Sequence, residues 1–187
     1  FMKAISLRED AAAYANLGYC FYFLGDFEKS AAAYRKAVDL RPKVATNWAN
    51  LGDACSWAGS CKQTAAQAYA TATQLLLGEV ALNPKNARAQ ATLAVCLARG
   101  GKFVEARKRM DDATTLEPQN ATRMYQAARV ANLSGRGTDA ISWLTRALAA
   151  GYQQYEIEHD PEFRNLRATD AFQALFERKG TSHTPTG

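Results

Sequence analysis

The chain is 187 residues long, 48% hydrophobic, and carries a formal net charge of +5. That is enough apolar material for one domain or one short solenoid, and no stretch approaches the roughly 20 unbroken apolar residues that span a bilayer. Charges recurring within FMKAISLRED argue against a signal peptide there, and a mild basic excess without a Lys/Arg block permits an acidic partner without demanding nucleic acid.

Residues 1–10, FMKAISLRED, are patterned like YRKAVDLRPK further on, with Phe1, Ala4 and Leu7 on one side. They read as the tail of a second helix whose first helix is missing, so a further repeat or domain is expected upstream. Ala11 to Leu24 and Phe27 to Leu40 read as two helices, split at Gly25-Asp26 and stopped by Pro42. A similar pair breaks at Gly59-Ser60, and its second helix is expected to run from Lys62 to Leu82, about two turns longer than its counterpart. Leu75, Leu76, Leu77, Val80 and Leu82 make that extension apolar. It is expected to be an elongated packing helix or a lip beside a binding groove.

Leu93, Ala94 and Leu97 follow at helical spacing, Gly100-Gly101 interrupt, and Ala106, Met110 and Ala113 resume before Pro118. A fourth pair carries Met124, Ala127, Ala128, Ala131, Gly135, Ala140, Leu144 and Ala147. The pattern then changes. Asp160-Pro161 and Asp170-Ala171 look like two short helix starts, and Phe163, Leu166, Phe172, Leu175 and Phe176 supply an apolar side. Residues 153–179 are therefore expected to cap the fourth pair, and 180–187 to form a disordered tail.

The units recur at 34 residues: Leu17-Gly18 returns as Leu51-Gly52, and Gly101, Ala106 and Ala113 return as Gly135, Ala140 and Ala147. A 34-residue helix–turn–helix period with these residues resembles the tetratricopeptide repeat. The first complete copy, 11–44, has Tyr14, Leu17, Gly18, Phe21, Gly25, Tyr34, Ala37 and Pro42 in the family's positions. The second, 45–86, has Trp48, Leu51, Gly52, Ala65, Tyr69 and Ala72, and is stretched. The third is 87–120. The fourth, 121–152, has Tyr152 where the proline stands elsewhere. The closing stretch resembles those of arrays in bacterial serine/threonine kinases and transcriptional regulators, here through Asp160, Pro161, Phe163, Leu166, Arg167, Phe172 and Leu175.

The resemblance implies an all-α, right-handed superhelical solenoid of antiparallel helix pairs. It would act as a protein-interaction module whose first helices line a concave, peptide-binding face. One hairpin cannot bury its apolar stripe alone, so neighbours must stack. Gly18, Gly52 and Ala94 are expected where backbones approach closely, and Ala106 where a larger side chain would not fit. The implied groove positions are spaced for a single stripe. They read Asn16, Tyr19 and Tyr22, then Asn50, Asp53 and Trp57, then Arg88, Thr92 and Arg99, and finally Tyr125, Gln126 and Arg129, with Ala12, Ala15, Phe23, Thr46, Val95 and Asn132 beside them.

Tyr, Trp and Arg are common hot-spot residues, and Asn and Gln pair with extended backbone. The clamp that captures acidic C-termini wants Lys and Asn where this chain has Ala15 and Tyr19, although Asn50 and Arg88 match two later clamp positions. The expected partner is a protein or peptide of aromatic and some acidic character. The wider roles implied are recruitment for an upstream kinase or regulatory activity, or self-association as a scaffold.

The four cysteines form no Cys-x2-Cys pair, and Cys20, Cys55 and Cys96 fall midway along first helices. They are expected to be buried free thiols in a reducing, cytoplasmic setting, with no zinc site. No phosphate-cradling loop follows a strand, Cys61 has no partner histidine, and His159 beside Asp160 reads as part of a helix cap. No reaction, cofactor or metal is expected.

Overall fold

The computed structural model describes residues 10–177. The tail helix expected over 1–10, Asp10 apart, and the tail expected over 180–187 lie outside the described residues. The chain divides into two compact units, Phe1–Leu82 and Asn83–Gly187. Among the described residues all regular structure is helical.

The first unit holds α1 (Ala11–Phe23), α2 (Phe27–Leu40), α3 (Ala45–Trp57) and α4 (Lys62–Leu82). Asp10 caps α1, its carboxylate accepting from the Ala12 amide at 3.0 Å. Asp26 caps α2 in the same way through Lys29 N–H at 3.2 Å. The Lys29 ammonium, bound to that carboxylate, holds the Asp26 pKa below its ordinary value. Between these helices the chain passes through Gly25 at φ 79°, a left-handed conformation that costs an L side chain energy and glycine none. Asp26 N–H then reaches back to Phe21 C=O at 3.0 Å, closing the end of α1.

The hairpins lock where glycine meets tyrosine. A Cβ on Gly18 would lie 2.8 Å from the Tyr34 ring, and one on Gly52 would lie 2.7 Å from the Tyr69 ring. Each first helix can therefore settle flat on an aromatic face of its second helix. Ser30 adds a buried bond, donating to Gly18 C=O at 2.7 Å. Val38, Leu51, Ala54 and Ala68 complete the core around these rings, and α2 packs on α3 to join the two hairpins.

The second hairpin turns differently. Ala58 is extended, and no left-handed glycine follows it. Instead a disulfide joins Cys55 to Cys61 across the turn, and Glu28 Oε1 accepts from Gly59 N–H at 2.9 Å. This corrects the reading of all four cysteines as free thiols. Cys55 and Cys61 sit at the end of α3 and just before α4, where two helices that must reverse direction bring their Cα atoms to 5.0 Å, within bonding range. Cys96, which is buried, and Cys20, which is exposed rather than buried, take no part in that disulfide.

The second unit holds α5 (Ala87–Arg99), α6 (Phe103–Leu116), α7 (Ala121–Leu133), α8 (Gly137–Ala149), α9 (Gln154–His159), a 3-10 turn Pro161–Phe163, and α10 (Asp170–Glu177). Alanine replaces glycine at the corresponding positions, Ala94 and Ala128, both fully buried, and buried Met110 and Leu144 stand where the first unit has its tyrosines. Asn86 and Asn120 cap α5 and α7. Asp160 caps the 3-10 turn through Glu162 N–H at 3.0 Å. The start of α10 corrects the expectation for Asp170. The cap is Thr169, whose Oγ1 accepts from Phe172 N–H at 3.3 Å.

Candidate functional site

In the first unit the residues expected to line a groove separate into two groups. Asn16 and Tyr19 on α1 are exposed, Tyr19 by 43%. Tyr22 is not a lining residue. It is 7% exposed and meets Phe23 at 5.3 Å and Phe27 at 5.6 Å between ring centroids. The cause is local. Tyr22 sits in the last turn of α1, where Gly25 folds Phe27 back against it, so the ring is taken into the core. Tyr19 packs its edge on Phe23 at 4.9 Å while part of its surface stays in water.

On α3, Thr46, Asn50 and Trp57 are half-buried and Asp53 is buried. Asp53 Oδ1 accepts from the Tyr69 hydroxyl at 2.7 Å, and Ser56 lies 3.2 Å from the same hydroxyl. Asn50 bonds the Tyr34 side chain. Burial raises the Tyr34 pKa well above the ordinary tyrosine range, and the nearby Asp53 carboxylate raises it further, while the bond to Asn50 opposes both. Asn50 and Asp53, both expected along the groove, thus also anchor the two tyrosines that lock the hairpins. Trp57 lies 6.4 Å from Phe27, extending the row of rings that starts at Tyr19.

A hollow of about 380 Å³ is lined by Glu28, Arg35, Lys36, Asp39 and Cys61. It lies against the second helix α2, and no motif in the sequence marks it. The same Cys61 carries the disulfide, so it offers no thiolate for nucleophilic chemistry. Among the described residues no group of three or more His, Cys, Asp or Glu could hold a metal.

In the second unit the chain's own closing segment sits on the predicted stripe. Arg99 on α5 is ion-paired with Glu162. Arg129 on α7 lies 3.8 Å from Glu162 and 3.9 Å from Asp160. The Tyr125 hydroxyl donates to Asp160, and its ring stacks on Tyr152 at 4.3 Å and meets the Phe163 edge at 6.0 Å. Asn132 donates to Glu162 C=O at 2.6 Å, and Arg167 donates to Asp160 C=O at 3.0 Å. Asp160 and Phe163 are wholly buried. Thr92 is also buried, donating to Arg88 C=O within its own helix at 3.0 Å. Gln126 accepts from Arg123 at 2.5 Å, and Arg88 is exposed.

Arg99, Tyr125 and Arg129 are thus brought together around the chain's own closing segment. In the sequence Asp160 reads as a cap and Glu162 as nothing in particular. The available signal was that acidic and aromatic character, expected of a partner, is present in the chain's own Asp160-Pro161-Glu162-Phe163.

Profiles of the tetratricopeptide repeat match residues 11–44 and 99–155. Among curated proteins, none matches the chain. Solved structures do. TTC0263, a thermophilic TPR protein of Thermus thermophilus, is 19% identical over 89% of this chain and 88% of that one, with a TM-score of 0.54. YrrB, described as a TPR protein with an unusual peptide-binding site, is 19% identical over 80% and 91%, with a TM-score of 0.41. MamA from Desulfovibrio magneticus RS-1 is 19% identical over 75% of each chain, with a TM-score of 0.42. Of these three, the Thermus alignment alone exceeds 0.5, and at its identity it speaks to fold. Together with the 34-residue hairpins and their glycine–tyrosine contacts, the profile matches make this chain a member of the tetratricopeptide repeat family.

Proposed function

We propose that the chain is a protein-interaction module without catalytic activity of its own, and that the face of α1 and α3 in the first unit takes an extended peptide. One observation carries the reading. Asn16 and Tyr19 stay exposed, and Thr46, Asn50 and Trp57 half-buried, on first helices whose opposite sides are committed to the core. Amides at these positions can pair with a peptide backbone, and Tyr19 and Trp57 offer rigid rings to an apolar or aromatic side chain.

The test is a peptide selected from a random twelve-residue display library on the full chain, with affinity measured by calorimetry. Asn16→Ala with Tyr19→Ala, both at exposed positions, should weaken binding by about 2 kcal/mol, or some 30-fold. Unchanged affinity in the double variant places the site elsewhere.

A second reading, self-association, rests on α4, where Leu77 is 44% and Leu82 91% exposed. Light scattering across concentrations separates the two: a constant monomer mass removes self-association and leaves peptide capture. A cytoplasmic setting draws no support from the cysteines, because the Cys55–Cys61 bond is the kind that persists in oxidising compartments.

A further inference from the structure

Burying two carboxylates is costly unless each is matched by positive charge and hydrogen bonds, and an apolar plug of the same size would close the second unit more cheaply. The closing segment nonetheless brings Asp160, fully buried, and Glu162, 7% exposed, against Arg99 and Arg129. Gln153, Gln154 and Tyr155 before it and Arg164 and Asn165 after it are exposed, the turn over 160–163 is engulfed, and Ile157, Leu166 and Phe172 pin its flanks to the core. The groove side is complete. Two guanidinium groups meet the carboxylates, the Tyr125 hydroxyl fixes Asp160, the Asn132 amide holds the backbone at Glu162, and the Tyr125 ring receives Phe163.

We propose that the face of α5 and α7 is a recognition site for an acidic turn of the form acid–Pro–acid–aromatic, and that Asp160–Phe163 is its built-in occupant. A partner segment of the same chemistry then binds only by displacing the chain's own. A tethered occupant is present at an effective concentration near the millimolar range, so the free site is scarce, and the apparent affinity in trans falls by the fraction open. The site is therefore shut by default. It is separate from the one proposed on α1 and α3, and either can fail without the other.

The tether can be cut. A site-specific protease sequence is inserted in the full chain between exposed Gln153 and Gln154, and a fluorescent peptide of residues 154–167 is used as the probe. The uncut chain should take up none. The cut chain should keep its helical circular dichroism, exchange its fragment for the probe, and release the probe to unlabelled peptide. A probe with Asp160→Asn and Glu162→Gln should bind on the order of 100-fold more weakly, the loss expected when buried ion pairs are broken from one side. Arg99→Ala with Arg129→Ala in the cut chain should abolish uptake, whereas Arg107→Ala, at an exposed position of α6, should leave it unchanged. The proposal is overturned if cutting unfolds the unit, if the fragment stays and no probe enters, or if both probes bind alike. Each of those results makes the segment ordinary core.

Discussion

Gly18 and Gly52 lie in the middle of helices, where glycine normally weakens a helix by up to about 1 kcal/mol relative to alanine. Their value here comes from the tyrosine rings, which a Cβ would meet at 2.7–2.9 Å. The two effects oppose each other, and the contact wins. Gly52→Ala should destabilise the protein by about 1–3 kcal/mol in chemical denaturation, whereas stabilisation would mean that the Tyr69 ring moves aside freely. Ala106→Leu should cost a similar amount, because that alanine has no exposed surface.

Tyr34 gives a pH test whose sign is fixed by the direction of its shift. Its folded pKa lies above the ordinary value, so above about pH 10 the unfolded chain gives up this proton while the folded chain keeps it. The contribution is full below that pH and is lost as pH rises through it, by up to about 1.4 kcal/mol per unit. Alkaline denaturation curves should show that slope, and Tyr34→Phe should flatten it. These contacts were partly legible in the sequence, since the glycine recurs at the repeat's spacing and a tyrosine follows each within the next helix. That Tyr22 turns inward was not, because its fate depends on where Gly25 sends Phe27.

At the scale of elements, the alternation of helix and turn could be read because Gly, Pro and Asp punctuate it, and the helix expected from Lys62 to Leu82 is α4 with those ends. The second turn could not. Cys55 and Cys61 stand six residues apart, a spacing that matches no metal motif, and only the reversal of α3 into α4 brings them together. A loop this short still restricts the unfolded chain. Cys61→Ser should lower the stability of the first unit by about 2 kcal/mol, and reducing agent should have the same effect on the wild type and none on the variant. Equal stability in both would mean that Glu28 alone holds the turn.

At the scale of the whole molecule, periodicity marks every first helix alike and treats the lining positions as one stripe. It carries no information on which parts of the stripe the chain fills for itself. That depends on a segment beyond the repeats, whose Asp160 and Glu162 find their arginines through a return of the chain that no local pattern encodes. The two units accordingly differ in what they leave to a partner. In the first, Asn16, Tyr19, Thr46, Asn50 and Trp57 keep contact with water; in the second, Arg99, Tyr125 and Arg129 hold the chain's own turn. The most direct test of this division is amide and indole chemical-shift mapping on the full chain, titrated with a peptide from the display selection. The expected result is a saturable set of shifts centred on Asn16, Tyr19, Asn50 and the Trp57 indole, with Arg99, Tyr125 and Arg129 unmoved. Shifts confined to α2 and α4, or centred on α5 and α7, would contradict it.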